Sequence, residues 1–313
     1  MERTWVLVTA MGSTASQNLV GALRADTRRR WGVVGGDARA WHGGLGLCDD
    51  DIVLPRGDAP GYAAAVGEAA TAVGARAVVP VFGPELVAMV GCQVPGAVVI
   101  APPAEAVEAC LSKRRLCGVL AAAGIDHPRV IEPADVDVWP VFCRPDVGTG
   151  SRGAVAVSDR GALDRLLADD PDRVVTPLAT GVEHSIDGFA WPRGRLVHAI
   201  ARVREEMKGG LAVRSTVVSL SPFQEVVEAA VAALSLRGFF NLQLFAHDDG
   251  VEVFDVNPRL GGAMALSFAA GLDAPGYVAA VVEGAPLPRG GRERVGLRLL
   301  RRWHNVFVQS DVP

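Results

Sequence analysis

Hydrophobic positions in the first hundred residues fall into short unbroken runs separated by stretches of helical spacing. Residues 4–10 (TWVLVTA) are apolar and rich in β-branched side chains, which predicts a buried strand. A turn at Gly12-Ser13-Thr14 leads into a helix over residues 15–24. Residues 31–34, 76–82 and 97–101 read as further strands, with a helix at 84–90 between the last two. Strands alternating with helices predict a parallel α/β sheet through about residue 105. Ligands bind at the strand ends of such sheets, so residues 11–16 form either a candidate ligand loop or a plain βα turn. Residues 105–124 are helical with a break at Ser112-Lys113, where Ser112 can cap the second helix. After His127-Pro128 strands dominate, at 139–144, 154–157, 173–177, 183–190, 196–204 and 212–219. A helix at 226–236 precedes a hairpin of 239–245 with 251–256, joined through Asp248-Asp249-Gly250. Helices near 263–270 and 275–282 and a final strand over 295–308 complete an α+β region built on antiparallel sheets.

Residues 251–262 (VEVFDVNPRLGG) carry the most chemistry. The two-residue period of a strand puts Val251, Val253, Asp255 and Asn257 on one face, with Glu252, Phe254 and Val256 on the other. Pro258 ends the ladder because it has no N–H. A carboxylate, an amide oxygen and the Arg259 guanidinium at one strand end suit a divalent cation and a phosphate, because hard cations take oxygen and Arg forks onto phosphate. A plain hairpin exit is the alternative. In NLQLF, Asn241, Gln243 and Phe245 face away from Leu242 and Leu244, and Gln243 lies on the strand paired with that of Asp255. If the two share a face, they offer two oxygen ligands side by side. Unpartnered buried polar groups cost roughly 1–3 kcal/mol each, so such a cluster implies water or a ligand.

Gly148-Thr149-Gly150-Ser151-Arg152-Gly153 fits G-x-G-x-x-G, the spacing of dinucleotide-binding turns. That turn must open a helix. Here the strand VFCR precedes it and the strand AVAV follows. A glycine loop between two strands is either a flexible hairpin or a flap whose N–H groups lie over phosphates. A nicotinamide-dependent dehydrogenase, which would rest on the same glycines, is disfavoured by the strand that follows. Arg144 shares a face with Phe142, opposite Val141 and Cys143, and places a permanent cation just before the loop.

Composition removes other classes. The net charge is −4, and the one strongly basic stretch, Arg28-Arg29-Arg30, reads as a solvated helix end, so nucleic acid is not expected. No apolar run has membrane-spanning length, and no leader pattern precedes the first strand. Five cysteines, odd in number and without metal spacing, predict reduced thiols and a cytoplasmic protein. The six histidines form no paired motif, and no Ser/His/Asp or Cys/His set suggests a covalent nucleophile.

The ordered set Ser112-Lys113, PVFCRPDVGTGSRG, GVEHSID, NLQLF and FDVNPRLGG resembles the ATP-grasp superfamily, in particular the carboxylate–amine ligases related to the large subunit of carbamoyl phosphate synthetase. The N-terminal VLVTAMGSTASQNLVGALR, with DDIVLPRGD and VVPVFGPEL, is similar to the α/β domain that precedes the grasp in that family. The resemblance implies three parts: a pre-ATP-grasp domain over 1–105, a small lid subdomain over 106–180, and a large subdomain with the metal site over 181–313. It also implies roles. Lys113 and Arg144 would hold ATP phosphates, with Arg144 standing where Lys is usual. The loop containing Gly148, Thr149, Gly150, Ser151 and Gly153 would be the flap. Thr176, Pro177, Leu178 and Ala179 would form the adenine hinge, with Thr176 where an acidic residue or Gln is common. Glu183 would accept the ribose hydroxyls. Gln243, Asp255 and Asn257 would hold Mg²⁺, or Mn²⁺ in its place, with Asp255 where Glu is usual. Arg259 would sit on the transferred phosphate, and Arg202, Arg204 and Arg214 would approach phosphate or substrate. The implied activity joins a small carboxylate, an amino acid or peptide, to an amine through an acyl phosphate. A non-catalytic ATP-binding sensor or scaffold of the same fold is the alternative. Expected partners are these small molecules, with a homodimer allowed.

Overall fold

A computed structural model describes residues 3–148, 152–248 and 250–309. The first third is a parallel sheet with flanking helices. β1 (Thr4–Val8) leads through the cap Ser13 into α1 (Thr14–Ala25), and β2 (Trp31–Asp37) and β3 (Asp50–Val53) follow. α2 (Tyr62–Ala72), β4 (Ala77–Val79), α3 (Gly83–Met89) and β5 (Val98–Val99) complete the unit. The sheet order is β3-β2-β1-β4-β5, with every pairing parallel. The hydrophobic pattern misses β3 and α2. DDIV is half polar, and YAAAVGEAATA is so rich in alanine that no apolar stripe stands out.

α4 (Ala104–Leu111) and α5 (Lys113–Ala122) are separated at Ser112, whose hydroxyl accepts from the Arg115 N–H at 3.1 Å and caps α5 as its sequence predicts. β6 (Val141–Arg144), β7 (Val155–Val157) and β8 (Val174–Pro177) make a small antiparallel sheet of order β7-β6-β8. Between β7 and β8 runs α6 (Arg160–Asp169), a helix where only strands are expected. Its cap is the Asp159 carboxylate, which accepts from the Ala162 N–H at 2.8 Å.

The rest of the chain builds a larger sheet. β9 (Val182–Ala190), β10 (Leu196–Lys208) and β11 (Leu211–Val218) are followed by α7 (Gln224–Ala233), then β12 (Gly238–His247) and β13 (Gly250–Asn257). α8 (Met264–Ala269), α9 (Ala274–Glu283) and β14 (Arg298–Leu300) finish it, in the order β13-β12-β9-β10-β11-β14. The strand expected over 295–308 shrinks to β14. Gly296 takes a left-handed φ of 84°, and beyond Leu300 the side chains of Trp303 and Phe307 point into solvent.

Among the described residues, three of five cores position the site. One joins the parallel sheet to the larger sheet: Val6, Val8, Leu19 and Leu23 pack with Phe189, Ile200, Tyr277 and Val278. A second lies behind the larger sheet, where Leu242, Leu244, Val253 and Val256 meet Val227 and Val231 of α7 and Leu116 and Leu120 of α5. The small sheet has its own core of Val141, Cys143, Val157, Leu163 and Val175. The basic stretch after α1 is more than a solvated helix end. Arg28 reaches Asp273 at 2.6 and 2.7 Å, Arg29 pairs with Glu283, and together they tie this turn to α9.

The metal-site hairpin departs from simple alternation. Gln243 pairs with Asp255, but Leu244 pairs with Val253, leaving Phe254 as an extra residue in a β-bulge. Val253 and Val256 therefore both enter the core, while Phe254, Asp255 and Asn257 face the other way. The face predicted to hold Val251, Val253, Asp255 and Asn257 together is split by that one residue.

Candidate active site

A cavity of about 470 Å³ opens between the small sheet and the larger one, with the N-terminal unit closing one end. β6 and β8 supply Phe142, Arg144, Thr176 and Pro177 to one wall, and Leu178 and Ala179 continue that wall beyond the strand. β12 and β13 supply Asn241, Gln243, Phe245, Phe254, Asp255 and Asn257 to the facing wall. The Phe245 and Phe254 rings stack there, 4.4 Å apart. Ser13, Thr14, Val81 and Phe82, at the carboxyl ends of β1 and β4, border the far end, so the loop at 11–16 reaches the cavity. Thr14 Oγ1 and Asn18 Nδ2 fasten that loop by donating to the Gly262 carbonyl, at 3.2 and 3.1 Å.

The charged groups form a connected system. Lys113 Nζ donates to Asp255 Oδ1 at 2.5 Å, and Asn257 Nδ2 donates to Asp255 Oδ2 at 2.9 Å. Arg259 donates to Asn257 Oδ1 at 3.0 Å. Burial works to raise the Asp255 pKa, but Lys113, with Arg144 and Asn257, outweighs it and holds the carboxyl below its ordinary value. Burial draws the Arg259 pKa down, and Asp255 opposes it. Arg144 gives both terminal nitrogens to the Phe254 carbonyl at 3.3 Å, and its buried Nε has no partner among the described residues. Arg204 pairs with Glu183 and donates to Gln243 Oε1 at 3.3 Å.

Beneath these lies Asp187, fully buried in the middle of β9. It accepts from Arg202 Nε at 2.8 Å, Asn241 Nδ2 at 2.7 Å and Ser267 Oγ at 2.6 Å. No motif in the sequence marks it. Its signal was an acid at an inward position of an apolar strand, SIDGF, where an unpaired charge would be too costly to bury.

Most of the expected site residues meet at this cavity: Lys113, Arg144, Gly148, Thr176, Pro177, Leu178, Ala179, Glu183, Arg202, Arg204, Gln243, Asp255, Asn257 and Arg259. Arg152, in the glycine loop, joins them. Arg214 does not. Its side chain is exposed on β11 and lies 3.8 Å from Glu206. Gly153 stands just outside the lining, at a left-handed φ of 73°, and its carbonyl accepts from Arg173 at 2.7 Å. Thr149, Gly150 and Ser151, and Asp249 of the hairpin turn, lie outside the described residues. The loop does run between two paired antiparallel strands, which removes the dinucleotide-turn reading.

The donor chemistry can be tested against ATP and a divalent ion. Lys113, Arg144, Arg152, Arg202, Arg204 and Arg259 face the cavity against the carboxylates of Glu183 and Asp255. That excess of cations, with the Arg144 Nε unpartnered, fits a polyphosphate. Among the described residues no cluster of three or more His, Cys, Asp or Glu could hold a metal. One carboxylate and two amide oxygens, Gln243, Asp255 and Asn257, form a hard oxygen set that suits Mg²⁺ completed by phosphate and water.

Residues 169–299 match the family model described as ATP-grasp in the biosynthetic pathway with Ter operon. The fold resembles a biotin carboxylase–β-γ-ATP complex from Campylobacter jejuni, with a TM-score of 0.72 at 15% identity over 95% of this chain and 74% of that one. It also resembles L-amino acid ligase from Bacillus licheniformis, with a TM-score of 0.68 at 17% identity over 90% and 75% of the two chains. N5-carboxyaminoimidazole synthetase from Staphylococcus aureus, complexed with ADP, gives 0.69 at 14% identity over 92% and 80%. No curated protein matches the sequence itself. The chain shares the fold of these proteins, and its residues 169–299 match an ATP-grasp model, in line with the ordered motifs.

Proposed function

We propose that the protein is an ATP-dependent ligase that activates a small carboxylate as an acyl phosphate and joins it to an amine, releasing ADP and phosphate. The observation that carries this reading is the convergence of Lys113, Arg144, Arg204 and Arg259 with Gln243, Asp255 and Asn257 on one cavity between two antiparallel sheets. The similarity to an L-amino acid ligase supports a carboxylate such as an amino acid or peptide. In this reading residues 1–105, 106–180 and 181–313 act as substrate-side domain, lid and metal-bearing subdomain.

Phosphates would lie along Lys113 and Arg144 beneath the loop at Gly148 and Gly153. Adenine would enter beside Thr176, Pro177, Leu178 and Ala179, with its ribose at Glu183. Asp255 and Asn257, beside Gln243, would hold Mg²⁺, which supplies charge neutralisation at the phosphoryl oxygens. The substrate carboxylate oxygen attacks the γ-phosphorus, and the bond to the ADP oxygen breaks. Arg259 faces the negative charge spread over the transferred group. An amine then attacks the acyl carbon and phosphate leaves. The chain supplies positions and charge rather than a nucleophile. A screen of acid and amine pairs for phosphate release tests this. Release that requires both partners is expected, and its absence across amino acids and small acids would sink the ligase reading.

A non-catalytic nucleotide sensor is the second reading. The ion pair of Lys113 with Asp255 favours it, because that carboxylate already has a cation. ATP binding without Mg²⁺-dependent turnover would select it.

A further inference from the structure

We propose that the site takes one divalent cation with its nucleotide, and that the Arg204 guanidinium is the fixed positive charge where a second ion would otherwise sit. This rests on the ATP-site reading above. Two divalent ions about 3.5–4 Å apart bring four positive charges into one site. The oxygen set offered here contains a single carboxylate, Asp255, and Lys113 already sits on it at 2.5 Å. Gln243 and Asn257 add oxygen but no charge.

A directional relay then determines where the Gln243 oxygen points. Asp187 already accepts from Arg202 and Ser267 in the core, so Asn241 turns its Nδ2 toward it, at 2.7 Å. The Asn241 oxygen is left to accept from Gln243 Nε2, at 3.0 Å. That in turn leaves Gln243 Oε1 facing Arg204 Nη1, at 3.3 Å. Reversing either amide would set donor against donor or oxygen against carboxylate. Arg204 is held in place by its pairing with Glu183, and its side chain is 12% exposed. A guanidinium does not lose its proton in this range. The Gln243 oxygen, which could otherwise bind a second ion, is therefore committed to a permanent cation, and the commitment is set by a buried carboxylate two residues deeper in the network.

The test counts ions on the full-length protein. Mn²⁺ stands in for Mg²⁺ and the non-hydrolysable adenylyl imidodiphosphate for ATP. Free Mn²⁺ is followed by electron paramagnetic resonance and nucleotide binding by calorimetry. One Mn²⁺ per nucleotide-bound chain is expected, and two would overturn the inference. The variant pairing Gln243→Glu with Arg204→Met replaces the guanidinium–amide contact with a free carboxylate. Its count should rise to two at full nucleotide occupancy. A count that stays at one would overturn the role given to Arg204. Absence of nucleotide binding by the wild-type chain would overturn the ATP-site reading itself, so the two failures are distinguishable. The wild-type count decides the stoichiometry whether or not the variant folds.

Discussion

Asp255 is the residue on which the candidate chemistry turns. It accepts from Lys113 and Asn257, and the second of these is held by Arg259. Asp255→Asn keeps the shape and removes the charge. If the carboxylate holds the metal, phosphate release should fall by about 100-fold or more, the scale of losing one preorganised electrostatic contact. The fold should survive. Lys113 would lose its partner beside a cavity that admits water, at a cost on the order of 1–3 kcal/mol, which denaturant titration would read. An Asp255→Asn protein with full turnover would refute the metal assignment. At this scale the sequence was informative wherever a charge stood at a strand end, as at Arg144, Asp255 and Arg259. It was silent where the charge was buried mid-strand. Asp187 announces no motif, and only the fold brings Arg202, Asn241 and Ser267 to it. Arg214 shows the reverse case, an arginine beside site residues in sequence whose side chain points outward to Glu206.

Two helix starts carry carboxyls whose pH responses should run in opposite directions. Asp273 caps α9 by accepting from the Gly276 N–H at 3.1 Å and pairs with Arg28. The Arg28 hydrogen bond holds its pKa below the ordinary value. Its contribution is thus present above the ordinary Asp range, near pH 4, and is lost as pH falls through the lowered pKa. Asp273→Ala should cost about 1–2 kcal/mol at neutral pH through the lost cap. Asp273→Asn keeps a capping oxygen, so it should cost less and flatten the acid limb. Glu85, at the start of α3, accepts from Thr9 Oγ1 at 2.5 Å and the Phe82 N–H at 3.1 Å. Burial raises its pKa despite those bonds. Its favourable contribution is complete below the ordinary Glu range and is lost as pH rises through the raised value. Wild-type stability should therefore fall relative to Glu85→Gln as pH rises above the ordinary Glu range, near pH 4, by denaturant titration at each pH. Parallel profiles would refute this. Elements with a clear apolar run or cap were legible, including the break at Ser112. α6 was missed although Asp159 and the spacing of Leu163, Leu166 and Leu167 signal it, because the surrounding strands set the expectation. The bulge at Phe254 was not legible, since strand periodicity contains no mark of an inserted residue.

At the scale of the whole molecule, the distribution of cores predicts which parts move together. The N-terminal unit and the larger sheet share one core through α1, α8 and α9, where Tyr277 stacks on Phe189 with centroids 4.9 Å apart. These parts should unfold as one. Tyr277→Ala should cost about 3–5 kcal/mol, as for other buried aromatic truncations, and should shift a single transition rather than split it. The small sheet is different. Its core is separate, and across the cavity Arg144 reaches the facing wall through the Phe254 carbonyl. Regions with little shared core open at lower free energy. Native-state hydrogen exchange should therefore be faster in β6, β7 and β8 than in β1, β4 or β9. A nucleotide bridging Arg144, Thr176 and Asp255 adds contacts across the gap, and by linkage stabilises the closed arrangement in proportion to its occupancy. Adenylyl imidodiphosphate with Mg²⁺ should thus slow exchange in residues 141–148 and 174–177 more than in 4–8. The opposite ranking, with protection confined to the parallel sheet, would place the nucleotide away from this cavity and remove the basis for the proposed reaction.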